Sequence, residues 1–290
     1  MLELLRAGPG LGLTRFPPAK YVHRILGAVG DRASGRLGQN LLEVDAYGFH
    51  FVIDSSDRQV SLSLLLHRRY EPAETSLFEK TVLPGMVVVD AGANLGVYTL
   101  LAARAVGPAG RVVAIEPDPR TFELLSENVS RNNMSNVALL NSALAAERGT
   151  MSLYRVPGHP ALASLSRSNA RGSAERIDVQ VTTLDAALAE LGIERVDVMK
   201  LDTQGAEIDI LRGARETIDR ARPILFVEYW PAGLSAMGHE PDELLAQFDE
   251  WGYELSLITA PAARIDRADV VRLSENGGVD LLLRPRKVGS

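Results

Sequence analysis

The chain contains no cysteine, which excludes a disulfide framework, a thiolate metal centre and a cysteine nucleophile. It also lacks an excess of positive charge: 31 Lys+Arg stand against 37 Asp+Glu, a formal net charge of -6. A broad nucleic-acid surface needs a concentrated positive field. The short run His67-Arg68-Arg69-Tyr70 reads instead as a helix end or a solvated loop. No apolar run has membrane-spanning length, and the opening MLELLRAGPGLGLTRFPPAK lacks the basic start and continuous apolar core of a secretory signal. These absences lead to the expectation of a soluble, cytoplasmic protein that engages neither nucleic acid nor membrane.

What is present is enough chain, 290 residues, for a large core. The first forty residues mix Gly and Pro with short apolar pieces, so helical fragments and turns are expected there. Leu41 to Asp54 reads as a hairpin around Tyr47-Gly48, and Val60 to Leu83 reads as mainly helical until Pro84-Gly85. Residues 1–69 are thus expected to form an N-terminal cover and residues 70–290 the catalytic domain. After Gly85 short apolar strands (MVVVDAG, RVVAIEP, NVALLNSAL, VDVMKLD, PILFVEYW, YELSLI, VDLLLRP) alternate with helices (VYTLLAARAV, RTFELLSENVSRNN, EIDILRGARETI, PDELLAQFDEWG). That rhythm predicts an α/β fold with a mostly parallel seven-stranded sheet covered by helices on both faces. The polar interval Ser164 to Arg176 reads either as a loop beside the pocket or as an ordinary exposed connection.

The turn VVVDAGANLGVYTL differs from a dinucleotide fingerprint. Asp90 occupies the first glycine position and Gly92 the second, while Gly96 falls one residue late. A carboxylate beside a pyrophosphate would repel it. Asp90 suits a ligand carrying an ammonium group, with Gly92 and Gly96 allowing close approach of ligand and helix. Glu116, closing the next strand, is placed to accept hydrogen bonds from both hydroxyls of a ribose. S-adenosylmethionine has the ammonium and the ribose but no phosphate, so it fits better than a nicotinamide dinucleotide. Asn94 is a candidate for orienting the turn or the cofactor's carboxylate, and Asn141 and Ser142 for reading the adenine edge; each has capping or a bend as its ordinary explanation.

A second group of residues follows in VDVMKLDTQGAEIDILRGA. Lys200 and Asp202 share strand parity, and Asp202 falls at the mouth of the sheet. Glu207 and Asp209 enter the next helix, where acids also interact favourably with free amides. Glu228 closes the following strand; Tyr229 and Trp230 beside it read as pocket lining or as core.

Taken together, DAGANLGVYTL, IEPDP, LLSENVSRNN, VDVMKLDTQGAEIDILRGA and ILFVEYWP resemble the FkbM methyltransferase family over roughly residues 70–230. The resemblance implies a class I Rossmann-like fold, S-adenosylmethionine as methyl donor, and transfer to a hydroxyl of a sugar or secondary metabolite. It puts the glycine block on Asp90, Gly92, Asn94 and Gly96, the ribose-site acid on Glu116, and the later block on Lys200, Asp202, Gly205, Glu207 and Gly213. Glu228 takes the place of the acid closing the next strand. Gln204 departs from the acid common at its position. Tyr70-Glu71-Pro72 resembles the segment just before the family's catalytic domain, which makes Glu71 a further candidate for donor or acceptor contact.

Transfer to an alcohol requires proton removal; Asp202 is the candidate to organise or deprotonate the acceptor, with His159 or Glu228 in support, and Lys200 to pair with an acid or bind the acceptor. A divalent ion such as Mg2+ on Asp202, Glu207 and Glu228 is an alternative, although these acids do not define a coordination shell. Transfer to nitrogen, a nicotinamide-dependent oxidoreductase and a catalytically silent binding protein remain competing readings, and a homodimer is left open.

Overall fold

The computed structural model describes residues 40–156, 163–170 and 174–286. In chain order the described elements begin with β1 Leu41–Ala46, β2 Phe49–Asp54, α1 Val60–His67, α2 Pro72–Thr81, β3 Val87–Ala91, α3 Val97–Val106, β4 Arg111–Ile115 and α4 Pro119–Arg131. They continue with β5 Val137–Leu140, β6 Ala143–Leu144, β7 Gly149–Arg155, β8 Glu175–Thr182, α5 Leu184–Glu190, β9 Val198–Leu201, α6 Glu207–Arg212 and α7 Arg215–Ala221. The last are β10 Ile224–Tyr229, α8 Pro231–Ala236, α9 Pro241–Glu250, β11 Tyr253–Leu257, β12 Ala260–Ile265, α10 Arg267–Leu273 and β13 Val279–Pro285.

The central sheet runs β12-β11-β13-β10-β9-β3-β4-β5. Its five strands from β10 to β5 are parallel, while β13, β11 and β12 pair antiparallel in turn. The parallel strands are apolar on both faces: Val88, Val89, Val112, Val113, Val198 and Met199 have no exposed surface. This is the α/β, class I Rossmann-like arrangement, but with eight strands where the sequence pattern predicts seven. The eighth, β12, carries the sequence APAARI on an exposed edge and pairs with β11 through an irregular register at Ser256/Leu257. An edge strand needs no alternating apolar pattern, so the pattern could not reveal it.

Chain order reverses between β3 and β9: β3 leads outward to β4 and β5, and β9 leads the other way to β10. Ligands of open α/β sheets bind outside the carboxyl ends of strands at such a switch point. There the two loops touch. A Cβ on Gly92 would stand 2.1 Å from the Asp202 carbonyl oxygen, and φ at Gly92 is +78°, so only glycine admits this approach.

The hairpin β1-β2 turns at Tyr47-Gly48, both at positive φ, as a two-residue hairpin turn requires. Its inner face, Leu42, Val44, Phe51 and Ile53, packs in one cluster with Leu95, Leu101, Leu125 and Val129 of the central domain. Buried Asn128 on α4 ties the two together: its Oδ1 accepts from Val52 N at 2.6 Å and its Nδ2 donates to Val52 O and Leu95 O. Residues 1–39 of the expected cover lie outside the described residues.

The strand read as NVALLNSAL splits. Val137–Leu140 join the central sheet as β5, and Ala143–Leu144 peel away to β8 in a three-stranded sheet ordered β6-β8-β7. This arm, with β7 and β8 absent from the expected elements, has its own apolar cluster of Ala143, Ala145, Leu153, Val179 and Val181. It docks through Arg155, whose guanidinium grips both oxygens of Asp118, the N-cap of α4, at 2.6 and 2.7 Å. Asp118 is 2% exposed at its side chain and Arg155 11%. Removing one partner strands a buried charge, so Arg155→Met should destabilise the fold by about 3 kcal/mol. Urea unfolding followed by circular dichroism checks this; a loss below about 1 kcal/mol, the level of an exposed pair, would show the arm is held by its apolar face instead.

The helix read across EIDILRGARETI breaks at Gly213-Ala214 into α6 and α7. A Cβ on Gly213 would meet the Ala145 carbonyl oxygen at 2.2 Å, so this glycine serves the seating of α6 beside the arm. Among the described residues no helix is long and apolar enough to cross a membrane.

Candidate active site

Two adjoining clefts open at the switch point. The first encloses about 610 Å³ and is lined by Gly92, Asn94, Glu116, Ser142, Thr203 and Gln204 with an apolar floor including Ile115, Leu144, Leu153 and Ile210. The second encloses about 820 Å³ and is walled by Tyr70, Glu71, Tyr98, Lys200, Glu228 and Asp280. Gly92, Asn94, Asp202 and Gln204 belong to both.

Glu116 closes β4 inside the first cleft. Its Oε2 accepts from Asn94 N and its Oε1 from Asp118 N, each at 2.9 Å. Burial pushes its carboxyl up to about 8, against the pull of those two amides. Each oxygen keeps a lone pair for a further donor. Asn94 stands at φ 51°, and its Oδ1 accepts from Leu95 N, so its side chain fixes the turn while its surface faces the clefts. Ser142 lines the first cleft. Asn141 does not: it is exposed, and its Nδ2 donates to Glu116 O and Pro117 O, so it shapes the loop that carries Glu116.

Asp90, the residue that the sequence reading puts beside the ligand's ammonium, sits behind the turn. It lines neither cleft, has no exposed surface, and its Oδ2 accepts from Thr99 Oγ1 at 2.6 Å while Oδ1 has no hydrogen-bond partner. Burial raises its pKa, with Lys200 and Thr99 opposing. It braces the turn from behind, with no surface on either cleft. Gly96 also lines neither cleft: at φ 98° it precedes α3, and a Cβ there would meet Leu125 Cδ1 at 2.8 Å. Its role is the packing of α3 on α4.

In the second cleft, β9 delivers Lys200 and Asp202 to the same side, with Nζ 2.9 Å from Asp202 Oδ2. Lys200 is 2% exposed and lies 4.4 Å over the Tyr98 ring. Burial alone would depress the ammonium, but Asp202, Glu74, Glu71 and Asp90 together hold it well above its usual value. The ion pair with Asp202 and the Tyr98 ring over it favour the ammonium form. Glu71, at φ 42° before α2, accepts from Tyr98 OH at 2.8 Å.

Glu228 closes β10 and faces Asp280 across the antiparallel register with β13. Burial, then the charges of Asp202, Glu207 and Asp280, drive Glu228 well above the carboxylate range against the pull of Lys200. Asp280 is pushed up to about 6 by its enclosure among these groups, then by Asp202 and Glu71, again against Lys200. Glu207 does not line either cleft; its Oε1 accepts from Thr203 N, Thr203 Oγ1 and Gly205 N and so staples the Asp202–Gly205 turn. Tyr229 is core at 2% exposure, and the Trp230 ring packs over Gly233. His159 lies outside the described residues. The polar interval does reach the site: its first residues, Ser164 and Leu165, line the first cleft together with Ala163 before them.

Sequence reasoning missed Asp280 and Tyr98, which wall the second cleft. Only Asp280 left a signal, a single acid at the start of the otherwise apolar VDLLL. No group of three or more His, Asp or Glu side chains among the described residues is arranged to hold a metal ion, so the divalent-ion alternative finds no ligand set there.

Residues 90–255, more than half of the chain, match the family model described as the methyltransferase FkbM domain. The chain is 30% identical over 176 residues to methyltransferase sdnD of Sordaria araneosa, covering 51% of this chain and 68% of that protein. It is 28% identical over 199 residues to 2-O-methyltransferase NoeI of Sinorhizobium fredii, covering 59% and 72%. Among solved structures, the methyltransferase FkbM of Methylobacillus flagellatus aligns with a TM-score of 0.44 at 15% identity, over 72% of this chain and 50% of that one.

Proposed function

The chain belongs to the FkbM methyltransferase family, and we propose that it transfers the methyl group of S-adenosylmethionine to a hydroxyl oxygen of a small molecule such as a sugar or secondary metabolite. The observation that carries the donor is the charge of the clefts. Glu71 and Asp202, with Asp280 beside them, line the second cleft, and among the described residues its one cation is Lys200, already paired. A diphosphate laid from Glu116 toward this wall would meet like charge, whereas a sulfonium and an ammonium are attracted. The residues present fit the donor: Glu116 for the ribose diol, the apolar floor for the adenine, and the acidic second cleft for the positive end. Asp90 supports this arrangement through the turn it braces.

When bound, the donor supplies an electrophilic methyl group whose bond electrons leave with sulfur. The protein's part is alignment, exclusion of water and removal of a proton. We assign proton removal to Asp202, whose carboxylate faces both clefts and whose Oδ2 is held by Lys200. Lys200 is a positioning residue, and Glu228, held toward its protonated form, is a hydrogen-bond donor to the acceptor. The relative called a 2-O-methyltransferase supports oxygen as the accepting atom. The acceptor is expected to be uncharged or cationic at the part that meets Glu228 and Asp280.

Calorimetry tests the donor. S-adenosylmethionine and S-adenosylhomocysteine are expected to bind with 1:1 stoichiometry and NAD not to bind; binding of NAD alone to folded protein would overturn the reading. An acceptor screen following S-adenosylhomocysteine formation, over polyols and matching amines, then separates oxygen from nitrogen transfer.

A further inference from the structure

Gln204 stands where the resembling family commonly has an acid, and its surroundings give that difference a chemical meaning. The residue adopts φ 57°, a left-handed conformation unusual outside glycine. Its backbone is clamped from behind: the carbonyl accepts from Asn169 Nδ2 at 2.9 Å and from Ser164 Oγ at 3.3 Å. The side chain is thereby sent into the clefts, which it lines on both sides of Asp202. There Nε2 lies 3.2 Å from Glu228 Oε2 and 3.5 Å from Asp202 Oδ1.

A carboxamide nitrogen carries two N–H groups, so a single atom can donate to both acids, whereas a carboxylate in its place would offer only acceptors. With Lys200 on Oδ2 and Gln204 beside Oδ1, Asp202 is held through both of its oxygens. Asp202, reached by Lys200 and Gln204, and Glu228, reached by Gln204, form one chain running from β9 to β10.

Resting on the assignment of Asp202 as the proton acceptor, we infer that Gln204 is a positioning residue: its neutral amide bridges Asp202 and Glu228, keeps the two acids from sharing one proton, and aims Asp202 at the acceptor hydroxyl. In the transfer, the acceptor oxygen forms its bond to carbon as the sulfur–carbon bond breaks, and the hydroxyl proton passes to Asp202. Glu228 is already faced by Asp202, Glu207 and Asp280, with Lys200 the opposing charge. An acid at position 204 would add another like charge to that set.

Two variants test this. Asn tolerates the left-handed backbone but is too short to bridge, so Gln204→Asn should lower kcat by about 10- to 100-fold with the KM for donor within about threefold, the signature of lost alignment. Gln204→Glu keeps the length and should move the acidic limb of the kcat–pH profile upward by about one unit. Wild-type kcat in Gln204→Asn, or an unmoved limb in Gln204→Glu, would overturn the proposal. A readout without turnover separates this from failure of the donor assignment: in donor-free protein labelled at Glu carboxyl carbons, the Glu228 NMR signal should titrate at higher pH in Gln204→Glu than in wild type. An unchanged Glu228 titration would overturn the bridge even if S-adenosylmethionine binds, and a shifted one would sustain it even if that donor fails to bind.

Discussion

Replacing Asp202 by Asn should reduce kcat by about a thousandfold, within the range of a positioned general base, while the donor dissociation constant stays within about threefold. The choice of Asn follows from Lys200. That ammonium is buried and its hydrogen-bonded anionic partner is Asp202, so Asp202→Ala would leave a buried cation short of its counter-ion at a penalty of about 3–5 kcal/mol. Loss of activity in the Ala variant would then report on folding as much as on chemistry. Asn removes the counter-ion too, but its oxygen can still accept from Lys200, so the ammonium keeps a hydrogen-bond acceptor that Ala would not supply, and the backbone carbonyl that meets Gly92 is untouched. Single-turnover kinetics with saturating donor, alongside a melting curve, make the measurement. Full turnover in a folded Asp202→Asn protein would remove Asp202 from proton transfer. Equal loss of turnover and of donor binding would make it a donor-site residue and shift the base to Glu228 or Asp280.

The difference between what the sequence disclosed and what it concealed follows the direction of side chains. Strands buried on both faces announce themselves by unbroken apolar runs, and acids that end such runs stand at the sheet's mouth, so Glu116, Asp202 and Glu228 were legible. The same run hides parity. On a doubly buried strand either neighbour can face a ligand or the core, and Asp90 proved to be internal, paired with Thr99. Asp280 escaped because it arrives on an antiparallel strand, whose first residues and not its last lie at the cleft; it meets Glu228 only through the β10–β13 register. Tyr98 looked like one apolar residue of a helix, and nothing local tells that its ring would cover the Lys200 ammonium. The edge strand β12 and the arm are likewise tertiary facts, since their sequences gain order from pairing rather than from a buried face of their own.

Glu116 is expected to set the pH dependence of donor binding. Its carboxyl is pushed up to about 8 in the donor-free protein, chiefly by burial, whereas an unfolded chain would titrate it near its ordinary value. The folded state therefore binds this proton more tightly than the unfolded state does. The contribution to stability is complete below the unfolded pKa and is lost as pH rises through about 8. Donor binding runs the other way. A ribose diol offers two hydroxyl donors and needs the carboxylate, so affinity should climb as pH rises toward 8 and then level off, with proton release on binding near neutral pH. Calorimetry in buffers of differing ionisation enthalpy measures that release directly. Glu116→Gln should abolish it, flatten the pH dependence and weaken donor binding by about 10- to 100-fold, the loss of hydrogen bonds to a charged group at about 1.5–3 kcal/mol. The backbone amides of Asn94 and Asp118 that now donate to Glu116 would keep only one oxygen acceptor, so part of the loss belongs to the turn. Comparison with S-adenosylhomocysteine isolates the ribose term, because that product shares the diol and lacks the sulfonium charge: both ligands should lose affinity by the same factor. A variant that weakens the sulfonium ligand alone would place Glu116 near the charge instead of the sugar.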